Sequence, residues 1–323
     1  MARLALWMAA YNDAAYLRRT LEALERSTFR DFQLTVVDDG STDDTAAVAE
    51  SFAGRLPLTV RRCPHRGIAR TKREALGAEP LDAPYLMILD SDILVAPDTL
   101  ARMLAALDST HEAAAISPWA LADEGTLWGR GLAFLERLFL ETATAGRGEG
   151  VIVGGCALMR RACLRDAEVP LHVSDDIALA AELRAQGVLL CPPDLVVVHL
   201  GEPQTLRQVL RRGEREGLRV AAVHRAEAEP VRFASLVRLA PLPLVVIALG
   251  SGALGAWPLS ALAGAGLGAY VGAFLLASRR VPGSLPVRLA AAGLFTWGNL
   301  GFAYGYAREW LRHSPEVLAD GTR

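Results

Sequence analysis

The stretch "ILDSDILV" (residues 88–95) decides the fold: it sets Asp90 and Asp92 one residue apart directly after the apolar run Tyr85–Leu89. Taken by itself, it fits a turn that ends a strand, a phosphatase motif or a metal site. Its neighbours in the chain separate these readings.

Working outward, short apolar runs alternate with amphipathic helical patterns up to about Arg238. The strands expected are Leu4–Met8, Gln33–Val37, Leu58–Arg61, Tyr85–Leu89, Ala114–Ser117, Val151–Leu158 and Val188–Val198. The helices expected are Ala14–Ser27, Asp43–Phe52, Ile68–Leu76, Pro97–Leu107, Leu127–Thr142, Asp175–Gln186 and Gln204–Arg225. Strands alternating with helices of this length predict βαβ units, a mostly parallel sheet and a three-layer α/β domain.

A second acidic turn lies upstream. "LTVVDDGSTDDT" (34–45) ends a strand with Asp38 and Asp39, then turns into a helix that Thr42 could cap. The first strand leads into Tyr11-Asn12-Asp13. In a parallel sheet all three turns fall on the carboxyl edge, where α/β folds bind ligands. Acidic turns converging there repel one another unless a cation joins them. Aspartates one residue apart suit a hard divalent ion and the diphosphate it neutralises.

In this order and spacing, "AAYNDAAYLRRTLEAL", "VVDDGSTDDT", "RGIART" and "LMILDSDILV" resemble a family 2 glycosyltransferase of the GT-A fold, over roughly residues 3–225. The resemblance implies an inverting transfer of a sugar from a UDP- or GDP-sugar, with Mg²⁺ or Mn²⁺. It implies that Tyr11 and Asp39 contact the base, Arg70 the nucleotide and Asp90 the ribose or diphosphate, with Asp92 the direct metal ligand. Gly155, in "VGGCALMRRACL" (153–164), matches the strand bordering donor sugar and acceptor. In "HVSDDIALAAELRAQG" (172–187) Asp175-Asp176 stand where the family carries Glu-Asp, which makes Asp176 the general base. Some relatives place a third metal ligand at the position of His199. Gln208 and Arg211 match part of the Q-x-x-R-W motif of polymerising synthases. Arg212 replaces the tryptophan, which favours single transfer, and Arg211 or Arg212 would assist the leaving diphosphate.

Rival readings fit less of the chain. A haloacid-dehalogenase-type phosphatase needs a downstream lysine, and the only lysine, Lys72, precedes Asp90. A nucleotidyltransferase needs a Gly-rich basic loop after strand one, which "MAAYNDAAYL" does not supply. An inactive nucleotide-sugar-binding module would be marked by loss of Asp92 or Asp176, and both are present.

The 323 residues carry a net charge of −2, which does not mark a nucleic-acid binder. The four cysteines show no zinc spacing and read as reduced, mostly buried thiols. The apolar stretch Leu4–Ala10 runs straight into a helical pattern, so it reads as a strand rather than a signal peptide.

After Arg238 the composition changes. Leu239–Ser278 lacks any charge and has a natural turn near Trp257-Pro258, and Leu289–Ala307 is also uncharged. These lengths predict a two-helix hairpin and a third transmembrane span, packed through glycines. The expected organisation is a GT-A domain over 1–225, a basic linker over 226–238, three spans within 239–307 and a tail over 308–323. Arg232, Arg238, Arg279, Arg280 and Arg288 put residues 1–238 and the 279–288 loop in the cytoplasm, with the C-terminus outside. The catalytic domain would then sit on the cytoplasmic face of the inner membrane, against membrane lipid and a lipid-linked or membrane-proximal acceptor. A polyprenyl-phosphate sugar synthase of the same fold is the runner-up.

Overall fold

The computed structural model describes residues 2–67, 70, 83–144, 155–164, 175–203, 205–227 and 238–311. The expected helix Ile68–Leu76 and the start of the strand expected over Val151–Leu158 lie outside the described residues. The described residues of 1–121 and 142–201 form one compact unit, and those of 122–141 and 202–320 form a second.

The first unit is built on a seven-stranded sheet of order β3-β2-β1-β4-β8-β6-β9. Its strands are β1 (Leu4–Ala10), β2 (Phe32–Asp38), β3 (Leu58–Arg62), β4 (Tyr85–Leu89), β6 (Ala113–Ile116), β8 (Cys156–Arg160) and β9 (Val188–Leu190). Only β8 runs against its neighbours, so the sheet is mixed but mostly parallel. Strand β1, LALWMAA, is buried at every position because both faces of the sheet are covered. On one face Leu4, Leu6 and Met8 pack with Leu17, Leu21 and Leu24 of α1 (Ala14–Glu25), Val48 of α2 (Thr45–Glu50) and Met103 of α3 (Thr99–Ser109). On the other, Ala5 and Trp7 share a core with Leu179 and Leu183 of α5 (Asp175–Gln186). The three layers follow from this two-sided burial.

A second sheet, of order β5-β10-β7, was not legible in the sequence. It comprises β5 (Ile93–Leu94), β10 (Val196–His199) and β7 (Trp119–Ala122). The strand expected over Val188–Val198 is divided. Pro192 and Pro193 offer no N–H to a ladder, and Leu195 N–H turns back onto the Pro192 carbonyl. So β9 stays in the large sheet while β10 crosses to pair with β5, His199 opposite Ile93.

The second unit is helical: α4 (Leu127–Thr144), α6 (Leu206–Glu227), α7 (Pro241–Ala253), α8 (Trp257–Ala277) and α9 (Leu285–Leu311). Among the described residues one helix, Trp257–Arg280, is long and apolar enough to cross a membrane. Helix α7 has 13 residues, about 20 Å at 1.5 Å per residue, against a hydrocarbon core of about 30 Å. The third expected span, Leu289–Ala307, falls in α9, which packs along the charged helix α6. A Cβ on Gly213 or Gly217 would overlap backbone at Gly298 or Phe302, and one on Gly301 or Gly305 would overlap backbone at Leu210 or Glu214. Gly298, Gly301 and Gly305 of this span therefore pack on α6. Three spans are not what the described helices provide.

Candidate active site

The carboxyl ends of β1, β2 and β4 lie side by side, Ala10 opposite Asp38, and the three turns that follow them are tied by hydrogen bonds. Asn12 adopts φ 51°, a left-handed conformation that Asn tolerates better than most residues. Its N–H donates to Ser41 Oγ at 2.9 Å, and its Oδ1 accepts the Thr42 N–H at 2.8 Å. Asp13 N–H donates to Thr45 Oγ1 at 2.8 Å, and Asp43 Oδ2 accepts from Ala14 N–H at 3.3 Å. The second helix starts at Thr45 with Asp44, not Thr42, at its N-cap position, and Asp43 Oδ1 accepts the Thr45 N–H at 3.0 Å. Burial alone would raise the Asp43 pKa, but bonds from the Thr45 hydroxyl and from the backbone amides of Thr45 and Ala14 outweigh it and hold it low.

Asp39 is fully buried at this edge. Its Oδ1 accepts Arg66 N–H at 2.9 Å, and its Oδ2 accepts Gly67 N–H at 2.9 Å and lies 3.0 Å from His65 Nδ1. The carboxylate thereby fixes the 65–67 loop, and His65 stacks on Tyr11 with ring centroids 4.0 Å apart. Gly40, at φ 74°, lets that loop approach, since a Cβ there would lie 2.6 Å from His65 N. Tyr11 and Asp39, both expected at the base, are joined through His65, which carries no sequence signal of its own. Arg70 is exposed beyond this loop, its N–H bonded to the Gly67 carbonyl at 3.1 Å.

The Asp90–Asp92 turn is held from several sides. Asp90 N–H donates to the Gly155 carbonyl at 2.7 Å, and a Cβ on Gly155 would stand 3.1 Å from the Asp90 carboxylate. Between the two aspartates, Ser91 is buried. Its hydroxyl donates to Asp13 Oδ2, and its carbonyl accepts from Thr20 Oγ1 at 2.8 Å. Asp92 Oδ2 lies 3.1 Å from His199 Nε2, and its carbonyl accepts the Leu200 N–H at 2.8 Å. Gly201 leaves room for that carboxylate; a Cβ there would overlap it. Asp13 is pushed above the usual carboxylate range, first by burial and then by the charges of Asp92, Asp43 and Asp90, while the Ser91 bond opposes the shift. Asp13 and Ser91 were not singled out from sequence as site residues. A serine between two aspartates, facing a third acidic turn, was the available signal.

Asp175 and Asp176 open α5, but their side chains lie outside the described residues. In the helical unit, Arg212 pairs with the buried Glu202, and Arg211 is exposed. Gln208 forms a capping box with Thr205: Thr205 N–H donates to Gln208 Oε1 at 3.0 Å, and Gln208 N–H to Thr205 Oγ1 at 3.3 Å. Among the described residues no group of three or more His, Cys, Asp or Glu side chains could hold a metal. The Asp92–His199 pair nonetheless fits Mg²⁺ or Mn²⁺, which take one or two protein ligands and complete their shell with water and substrate phosphate.

Residues 6–167, half of the chain, match the family model described as Glycosyl transferase family 2. Validoxylamine A glucosyltransferase of Streptomyces hygroscopicus subsp. jinggangensis is 37% identical over 105 residues, 32% of this chain and 25% of its own length. A PGL/p-HBAD biosynthesis glycosyltransferase of Mycobacterium tuberculosis is 36% identical over 104 residues, 31% of this chain and 40% of its own. The matches thus span well under half the length of these relatives. Among solved structures, mannosyltransferase PcManGT of Pyrobaculum calidifontis, in complex with GDP-Man and Mn²⁺, superposes over 97% of this chain and 88% of its own, with TM-score 0.56 and 20% identity. That likeness shows the fold.

Proposed function

The chain belongs to glycosyl transferase family 2, and from that premise we propose that it transfers a sugar from a UDP- or GDP-sugar to an acceptor hydroxyl with inversion at the anomeric carbon. The observation that carries the reading is that the Asp90–Asp92 turn, with His199 of the second sheet against Asp92, and the Tyr11–His65–Asp39 cluster follow the carboxyl ends of adjacent strands of one sheet. The flat Tyr11–His65 pair offers a stacking surface for the base, with Asp39 holding the loop beneath it and Arg70 near the nucleotide. Asp90 faces ribose and diphosphate. Asp92, with His199, would hold a divalent ion, which neutralises the charge growing on the leaving diphosphate. Support for a cation there comes from the acidic turns that meet at this edge, where the charges of Asp92, Asp43 and Asp90 add to burial in raising the Asp13 pKa; the PcManGT complex contains Mn²⁺.

Asp176, at the start of α5, accepts the acceptor hydroxyl proton as that oxygen attacks the anomeric carbon. The bond from that carbon to the diphosphate oxygen breaks, and its electron pair leaves with the nucleotide diphosphate. Gly155 and Asp175 border the donor sugar and acceptor, and Arg211 or Arg212 assists the departing diphosphate. The uncharged α8 supports a place at the cytoplasmic face of a membrane and a lipid-linked or amphiphilic acceptor. The same helix favours one second reading, a polyprenyl-phosphate acceptor.

Asp176→Asn tests the assignment and separates the two acceptors. A hydroxyl acceptor predicts donor binding unchanged with turnover lowered about 10²–10⁴-fold, the range of general-base catalysis. A phosphate acceptor is already ionised, so retained turnover to polyprenyl phosphate would favour the second reading. Retained turnover to a hydroxyl acceptor would overturn the base assignment.

A further inference from the structure

We propose that α7 and α8 insert into an anionic lipid bilayer as a hairpin that enters and returns at one face, while α9 lies along that face and does not cross. The proposal rests on the membrane placement given above and changes its topology.

The hairpin geometry comes from side-chain register. Ser260 Oγ donates to the Ala248 carbonyl at 2.7 Å, and Gly266 lies against Leu244, so α7 runs antiparallel to α8. The base of α7 therefore lies at the same end as the close of α8. Arginines mark that end on both arms. Arg238 precedes α7 and forks onto Glu216 of α6 at 2.8 and 2.9 Å, while Arg279 and Arg280 follow α8. The opposite end, Leu254–Trp257, carries no charge, with Leu254 86% and Trp257 69% exposed. Only 11% of the apolar window of α8 is buried, so it is not the core helix of a soluble bundle. Basic ends and a bare apolar tip are the charge pattern of a hairpin held by anionic headgroups at its base.

Helix α9 does not follow the hairpin towards its tip. It starts beside the close of α8, where Phe295 stacks on Phe274 with centroids 4.8 Å apart and Asn299 donates to the Tyr270 hydroxyl at 2.8 Å. Its last turns then meet Leu239, Leu242 and Pro243, the base of α7, roughly 16 Å short of the tip at 1.5 Å per residue. Along that course it lies on α6, whose Glu214 pairs with Arg308 at 2.5 Å. A helix pressed against so many charges cannot span hydrocarbon. Its exposed side carries Trp297, Tyr304 and Trp310, together with Leu285 and Leu289, within an arc of about 140° at 100° per residue. Exposed Trp and Tyr on one face are what a helix at the headgroup level presents.

Reporters fused after Arg323 of the full chain, expressed in bacteria, test this. A fluorescent protein that matures only in the cytoplasm should be bright. Alkaline phosphatase, active only outside, should stay at background, and the chain should remain in carbonate-washed membranes. Leu249→Lys with Leu262→Lys, both highly exposed, should release it into the wash with its circular dichroism unchanged. Purified wild type should float with phosphatidylethanolamine–phosphatidylglycerol vesicles and lose flotation on phosphatidylcholine alone. Active phosphatase would overturn the proposal by showing that α9 crosses. A wild-type chain that stays in the wash as a dimer by light scattering would overturn it in favour of a second copy covering α8. Nucleotide-sugar turnover in the same fractions is an independent readout. Lost turnover with the expected topology would sink the transferase reading alone, and intact turnover with the wrong topology would sink only the hairpin.

Discussion

Ser91→Ala removes one hydroxyl from a buried position and leaves the backbone of the Asp90–Asp92 turn, including the Thr20 bond to the Ser91 carbonyl, in place. What it deletes is the donor to Asp13, a carboxylate already raised by burial and by Asp92, Asp43 and Asp90. A hydrogen bond to a charged group is worth about 1.5–3 kcal/mol, and a neutral one about 0.5–1.5 kcal/mol. With Asp13 ionised, above its native pKa, the substitution should destabilise the first unit by about 1.5–3 kcal/mol. Hydrogen exchange of the β1 and β4 amides, read by mass spectrometry, should then run roughly 10–150-fold faster than in wild type. As pH falls through the raised native pKa of Asp13 the bond becomes neutral, so the acceleration should shrink towards about 2–13-fold. An acceleration that does not shrink as pH falls through that pKa, or that stays under about threefold above it, would refute the assignment of Ser91 as the donor to an ionised Asp13.

Asp13→Asn tests the same charge from the other side. The native pKa of Asp13 is raised, so its stabilising contribution is complete below the unfolded value near 3.8 and is lost as pH rises through the native one. The stability of Asp13→Asn relative to wild type should therefore climb between pH 4 and pH 7, and denaturant midpoints that move in parallel with pH would contradict this. Gly40→Ala places a Cβ against His65 backbone at positive φ and should cost about 2–5 kcal/mol in urea unfolding. Gly201→Ala instead crowds only the end of the Asp92 side chain. Its melting temperature should stay within about 4 °C of wild type, while the Mn²⁺ concentration for half-maximal turnover rises about 10–100-fold.

Much of this site is written in local sequence. β1 and β4 are buried at every position and read as unbroken apolar runs, and β2 is nearly as buried, so the positions of Tyr11, Asp39, Asp90 and Asp92 at their ends follow directly. What was not legible depends on partners distant in the chain. β5 has two residues and exists only because His199 pairs with Ile93. His65 reaches Asp39 and Tyr11 from a loop without periodicity. Gly298, Gly301 and Gly305 pack on α6, a helix whose charges concealed the matching Gly213 and Gly217. Small residues show that a helix is approached closely; they do not say by what.

The central claim is metal-assisted turnover of a nucleotide-diphosphate sugar at the Asp90–Asp92 turn. It is tested most directly by measuring nucleotide diphosphate released from UDP- and GDP-sugars, with and without Mn²⁺ or Mg²⁺, by wild type and Asp92→Asn. Release by wild type from at least one donor should require the ion, and Asp92→Asn should lose it by 10²-fold or more, roughly the cost of a lost electrostatic contact to the developing charge. Equal, metal-independent release by both proteins across the whole panel would contradict it.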